Sequence, residues 1–155
     1  MEIDWSKPDY LYRVTCSCCS QALTVEGEGI VARSLDDVDL FARYKEKKLA
    51  KLQRCFENHM DWSCREPSPF MSAYGDKETA TTRAANRADD GHTDVAVTMI
   101  DASCLGKGTV RHVDNVRKQF GIRLRPEVYY GSQYEYLILH RVPEAAILVV
   151  EHVGP

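Results

Sequence analysis

The sequence predicts an α+β domain. Extended segments recur along the whole chain, the helical patterns concentrate in its first two-thirds, and no internal repeat, linker or low-complexity tract divides it. At 155 residues the chain has the size of one ordinary domain with one core, and residues 1–155 are expected to form it.

Asp9 to Thr15 alternates aromatic and apolar residues with β-branched ones and reads as a first strand, interrupted by Arg13. Cys16 to Gly29, rich in Ser, Cys and Gly, reads as an irregular connection, and Glu28 to Arg33 as a short extended segment. Ser34, with Asp37 three residues on, offers an acidic capping box that opens a helical pattern to about Asn58. Lys45 to Lys48 breaks its apolar stripe, so two helices are compatible with the spacing, and the charge run itself reads as a solvated face.

Pro67 and Pro69 bracket Ser68 ahead of a short strand, Phe70 to Tyr74. Asp76 then caps a helix from about Lys77 to Ala88, with Ala80, Ala84 and Ala88 on a narrow buried face and Gly91 ending it. Asp94 to Asp101 is apolar on both faces and is expected inside a sheet. Val113 to Phe120 has helical spacing ended by Gly121, and an aromatic loop containing Tyr129 and Tyr130 follows. The stretch from Gly131 continues as a strand through Leu137 to Val142, a turn spans Pro143 to Ala146, and Ile147 to Val150 is the last strand.

With 44% hydrophobic and 28% charged residues the composition is that of a soluble globular protein, and no segment is long and apolar enough to span a bilayer. The acidic start Met1 to Trp5 carries no apolar run, so an intracellular setting without a secretory signal or membrane partner is expected. A net charge of −3 and a pI of about 5.9 argue against a large electrostatic footprint for nucleic acid, while leaving room for a local basic site. Cys16, Cys18, Cys19, Cys55, Cys64 and Cys104 lack the paired CxxC spacing of a zinc site, so no metal is expected and the thiols read as buried and inert.

Residues two apart on a strand share a face. Gln133 and Glu135 are therefore expected to present an amide and a carboxylate side by side, held by the apolar run Leu137 to Leu139 beneath them. Each polar position has a plain reading as well. Glu135 suits a solvated strand end, Arg13 the solvent-facing member of an alternating strand, Ser72 a serine bonded to backbone, and His59 a histidine at a helix C-terminus.

Their order is more specific: an arginine in a first strand, a serine in a short strand before a helix, then Gln-x-Glu opening a late strand. Leu11-Tyr12-Arg13, Phe70-Met71-Ser72 and Gln133-Tyr134-Glu135 resemble the three motifs of the ADP-ribosyltransferase superfamily, in the arginine-serine-glutamate branch of the cholera-type and C3-type toxins. The likeness runs from Tyr10 to Val150, and the segments Ser68 to Ala88 and Leu137 to Val142 also resemble an uncharacterised fungal domain family of ADP-ribosyltransferase-like character.

The resemblance implies a split mixed β-sheet core with flanking helices, and an enzyme that uses NAD, releases nicotinamide and passes ADP-ribose to a macromolecular acceptor. It implies Glu135 as the carboxylate facing the ribosyl cation, Ser72 as its brace, Arg13 and Tyr12 in nucleotide binding, and Gln133 orienting the nucleophile. Tyr129 or Tyr130 would recognise the target, and His59 matches a histidine placed near the nucleotide in cholera-type members. Two departures stand out: Ser72-Ala73-Tyr74 replaces the commoner Ser-Thr-Ser, and Gln133 stands where a glutamate serves arginine acceptors. An amide hydrogen-bonds but takes no proton from a guanidinium. Asparagine, cysteine, a nucleobase or water then remain as acceptors, besides the reading of a catalytically silent binding module or an NAD glycohydrolase.

Overall fold

The computed structural model describes residues 8–17, 22–34, 46–60 (side chains from 50), 67–106, 108–121 and 133–153. Within them the order is β1 (Tyr10–Thr15), β2 (Ala22–Val25), β3 (Gly29–Ala32), α1 (Glu46–Met60), β4 (Phe70–Tyr74), α2 (Lys77–Asp89), β5 (Ala96–Asp101), β6 (Val110–His112), α3 (Val113–Phe120), β7 (Glu135–Leu139), β8 (Arg141–Pro143) and β9 (Ile147–His152). Six strands form one sheet in the order β6-β7-β4-β1-β5-β9 and three form a second, β2-β3-β8. The α+β fold with a split sheet is as expected, and among the described residues every strand pairing is antiparallel, with no parallel pair to make the sheet mixed.

A single residue divides the two sheets late in the chain. β7 and β8 are separated by His140 alone, whose φ of 62° turns the backbone out of the larger sheet. Its amide donates to Pro69 O and its carbonyl accepts from Ala32 N–H, one bond toward each sheet. The continuous strand expected from Leu137 to Val142 is therefore two strands. β8 lies so close to the start of β3 that a side chain at Gly29, φ 103°, would strike the Val142 carbonyl.

The larger sheet is covered on both faces. Leu11, Met71, Ala73, Ile100 and Ile138 pack toward Ile30, Ala32 and Val142 of the smaller sheet. On the other face α1 and α3 bring Leu52, Phe56, Met60, Val113 and Val116 against Phe70 and Leu137, while Ala80 and Ala84 of α2 lie on Val14, Tyr74 and Val97. The small alanine face lets α2 sit close, and Asp76 caps it by accepting from Thr79 N–H at 3.1 Å. β5 is interior, between β1 and β9, as its two apolar faces require.

The expected irregular connection contains β2, the outer strand of the smaller sheet, and β6 at the edge of the larger one was not legible before α3. The Asp37 half of the expected capping box falls outside the described residues, as do Cys18, Cys19, Cys64, Tyr129 and Tyr130. Cys16, Cys55 and Cys104 take part in no disulfide. Among the described residues no helix is long and apolar enough to cross a membrane.

Candidate active site

Sheet register assembles the site. Tyr12 pairs with Tyr74 and Tyr74 with Glu135, so the three lie in a row across β1, β4 and β7 on the helix-covered face. Ser72, two residues before Tyr74, shares that face. β1 and β4 register at Tyr12 and Tyr74 alone, whereas β1 and β5 register over six pairs. Arg13 is buried there, 6% exposed, and its Nη1 donates to Ser72 O at 2.9 Å.

The last turn of α1 brings His59 onto the same serine. Ser72 Oγ donates to Glu135 Oε2 at 2.8 Å and stands 2.8 Å from His59 Nε2, while His59 Nδ1 is 2.6 Å from Ser68 Oγ. Ser68 Oγ also accepts from Phe70 N–H at 3.0 Å. Hydrogen counting sets every direction. A hydroxyl has one proton, and that of Ser72 goes to Glu135, so Ser72 accepts from His59 Nε2–H; Nδ1 is then an acceptor and Ser68 its donor. The chain of donors runs from Phe70 N–H through Ser68, His59 and Ser72 to the Glu135 carboxylate.

The charges agree with that chain. Burial, then the neighbouring Arg13 charge, brings His59 down to about 4, so the ring is neutral as the relay requires. Burial raises the Glu135 carboxyl above its ordinary range, opposed by the Ser72 hydroxyl and by Arg83. Burial, with Arg87 nearby, lowers Arg13 to about 10. Tyr74 is raised by burial and by Glu135, and the Arg83 guanidinium lies over its ring, 5.9 Å from the centroid.

Arg13, Ser72, His59 and Glu135 are thus brought together, with Tyr12 in the same row. Gln133 is not beside Glu135 on a strand. β7 begins at Glu135, and Gln133 is an exposed turn residue whose carbonyl bonds His112 Nε2 at 2.7 Å. β6 ends at His112 as the chain turns into α3, so no backbone partner remains to extend the ladder to Gln133.

Ser68, Tyr74, Arg83 and Arg87 were missed. The rigid Pro67-Ser68-Pro69 bracket was the available signal for Ser68, and the i, i+4 spacing of Arg83 and Arg87 beside the alanine face was the signal for the arginines. A cleft of about 360 Å³ lined by Arg13, Thr15, Thr98 and His152 opens on the opposite face and meets the site only through Arg13.

The model of a family described as a domain of unknown function, DUF7587, matches residues 6–153. The chain belongs to this family. No curated protein matches it. Among solved structures this DUF7587 domain is similar to EcPltA at 14% identity and a TM-score of 0.57, over 96% of this chain and 83% of that one. The likeness is one of fold, and the fold is ADP-ribosyltransferase-like.

Proposed function

We propose that this DUF7587 domain is an NAD-dependent mono-ADP-ribosyltransferase of the arginine-serine-glutamate type, toxin-like in its site, which transfers ADP-ribose to a non-arginine acceptor. The observation that carries the reading is the Ser72 hydroxyl held between His59 and Glu135, with Arg13 bound to the same residue's carbonyl. The four motif positions read from sequence converge there, in a fold shared with EcPltA, a pertussis-like toxin subunit.

The residues fit a dinucleotide. Among the described residues Arg13 Nε is a buried donor without a partner, and no carboxylate pairs with its charge. An uncompensated buried charge costs on the order of several kcal/mol, which a bound diphosphate would relieve. Arg83 adds positive charge beside Glu135, and Arg83 and Arg87 both act on the neighbouring Tyr74.

NAD, when bound, supplies a glycosidic bond whose cleavage leaves positive charge on the ribose, as in glycoside hydrolysis. A carboxylate about 4 Å from that charge, at an effective dielectric of about 20, contributes about 4 kcal/mol, or about three powers of ten in rate. Every donor in the relay points toward Glu135, so the network favours the ionised carboxylate and opposes the burial that raises its pKa. Gln133, exposed just ahead of it, suits a role in orienting the acceptor by hydrogen bonding.

Incubating the pure protein with NAD, with and without a cell lysate, separates the readings. Nicotinamide release that needs the lysate supports transfer to a macromolecular acceptor, protein or nucleic acid. Release as fast without it as with it marks an NAD glycohydrolase, a slow background without it is the transferase's own hydrolysis of NAD, and no release in either condition marks a binding module.

A further inference from the structure

β6 ends at His112, and the backbone that could pair with residues ahead of β7 has already turned into α3. The His112 side chain takes its place. Nε2 donates to Gln133 O at 2.7 Å, Nδ1 accepts from Asp114 N–H at 3.1 Å, and the ring stands edge-on to Tyr136 with centroids 4.9 Å apart. Only a neutral ring protonated on Nε2 makes both bonds at once. From the β4 side, Gly75 N–H donates to Tyr134 O at 2.9 Å, where a Cβ on Gly75 would come 2.9 Å from the Tyr136 ring. The two carbonyls before Glu135 are therefore held from two different strands.

Capping alone does not account for the imidazole. Asn, Asp, Ser and Thr are the favoured N-caps, and each satisfies a helix amide with a shorter side chain. What histidine adds to the capping acceptor is a donor on the far side of the ring, and that donor is spent on Gln133. By alternation Tyr136 points away from Glu135, so His112 works from the reverse face of the sheet and touches none of the reacting groups.

We infer that His112 is a positioning residue: it fixes the turn that carries Gln133 and so sets where the acceptor-facing amide stands relative to Glu135. The role of Gln133 rests on the transferase reading above; the hold on the turn does not.

His112→Asn separates the two bonds, because asparagine keeps the cap but is too short to reach Gln133 as well. It is expected to melt within a few degrees of wild type, with faster hydrogen exchange at the amides of 133–135 and unchanged exchange in α3. With biotin-labelled NAD and lysate, label transfer should fall about tenfold, while nicotinamide release without lysate changes by less than about twofold. Gln133→Ala should lose label transfer to a similar degree, and transfer in the double variant should fall no further than in the lower single, since both act through one side chain. His112→Phe, which keeps the ring packing but neither bond, should repeat the exchange and transfer defects with a lower Tm.

Wild-type transfer in His112→Asn, an equal loss of transfer and hydrolysis, or independent effects in the double variant would overturn the assignment. A wild-type protein that releases no nicotinamide in either condition overturns the transferase reading instead, and exchange at 133–135 then decides the hold on the turn alone.

Discussion

His59 Nε2–H donates to Ser72 Oγ across 2.8 Å while Nδ1 accepts from Ser68 Oγ across 2.6 Å, and the two bonds hold together only while the imidazole is neutral. A second proton, on Nδ1, would face the hydroxyl proton of Ser68 and force that serine to give up its donor direction. His59 holds a proton less tightly in the folded protein, near 4, than at its ordinary 6.5. Between those values the unfolded chain binds more protons, so stability rises with pH across the window. The contribution is fully present above 6.5 and is lost as pH falls toward 4. His59→Gln keeps a donor toward Ser72 without titrating. Thermal melts from pH 7 to 4 should show wild type losing more stability than His59→Gln; parallel profiles would remove His59 from the relay.

Ser72→Ala leaves a half-buried imidazole N–H and the Glu135 carboxylate without their shared partner. The expected loss is about 1–3 kcal/mol in urea unfolding. Turnover should fall as well, because the hydroxyl that opposes the raised Glu135 pKa is gone. Ser72→Thr, which keeps the hydroxyl on a strand-favouring side chain, should recover most of both.

Arg13 is buried, and among the described residues it has no carboxylate partner and its Nε is unsatisfied. Replacing a buried charge by an apolar group of similar volume is often neutral or stabilising. Arg13→Met should therefore melt no lower than wild type in the absence of ligand. It should also lose the protection that a non-hydrolysable NAD analogue gives the native state by mass action. Undiminished protection in Arg13→Met would sink the assignment of Arg13 to the dinucleotide.

How far the molecule could be read beforehand depended on how local each signal was. α2 was legible because Asp76, the spacing of Ala80 and Ala84 and the closing Gly91 are all short-range, and α3 because Gly121 ends it in the left-handed conformation. β2 and β6, of four and three residues, are too short to build a periodicity and exist through pairing with β3 and β7. Nothing in His140-Arg141-Val142-Pro143 announces a change of sheet; the turn at His140 is set by bonds to Pro69 and Ala32, far away in sequence. Within the site, the strand positions of Arg13, Ser72 and Glu135 were readable from alternation and order. The relay through Ser68 was not, since it depends on where α1 ends relative to β4. The strand was expected to open at Gln133, two residues before it does, because His112 rather than backbone pairing meets that residue.

The decisive position is Glu135. Its carboxyl is raised by burial, so the folded state holds that proton more tightly than the unfolded chain does. The stabilisation this gives is present at acid pH and lost as pH rises through the raised value. A glutamine escapes that loss while still accepting from Ser72, so Glu135→Gln should melt no lower than wild type at neutral pH. The central measurement is nicotinamide release from NAD by wild type and Glu135→Gln at equal, verified folding and NAD binding. The account predicts that turnover falls by about three powers of ten with KM little changed, the signature of an interaction made mainly in the transition state. Full activity in a folded Glu135→Gln would contradict it.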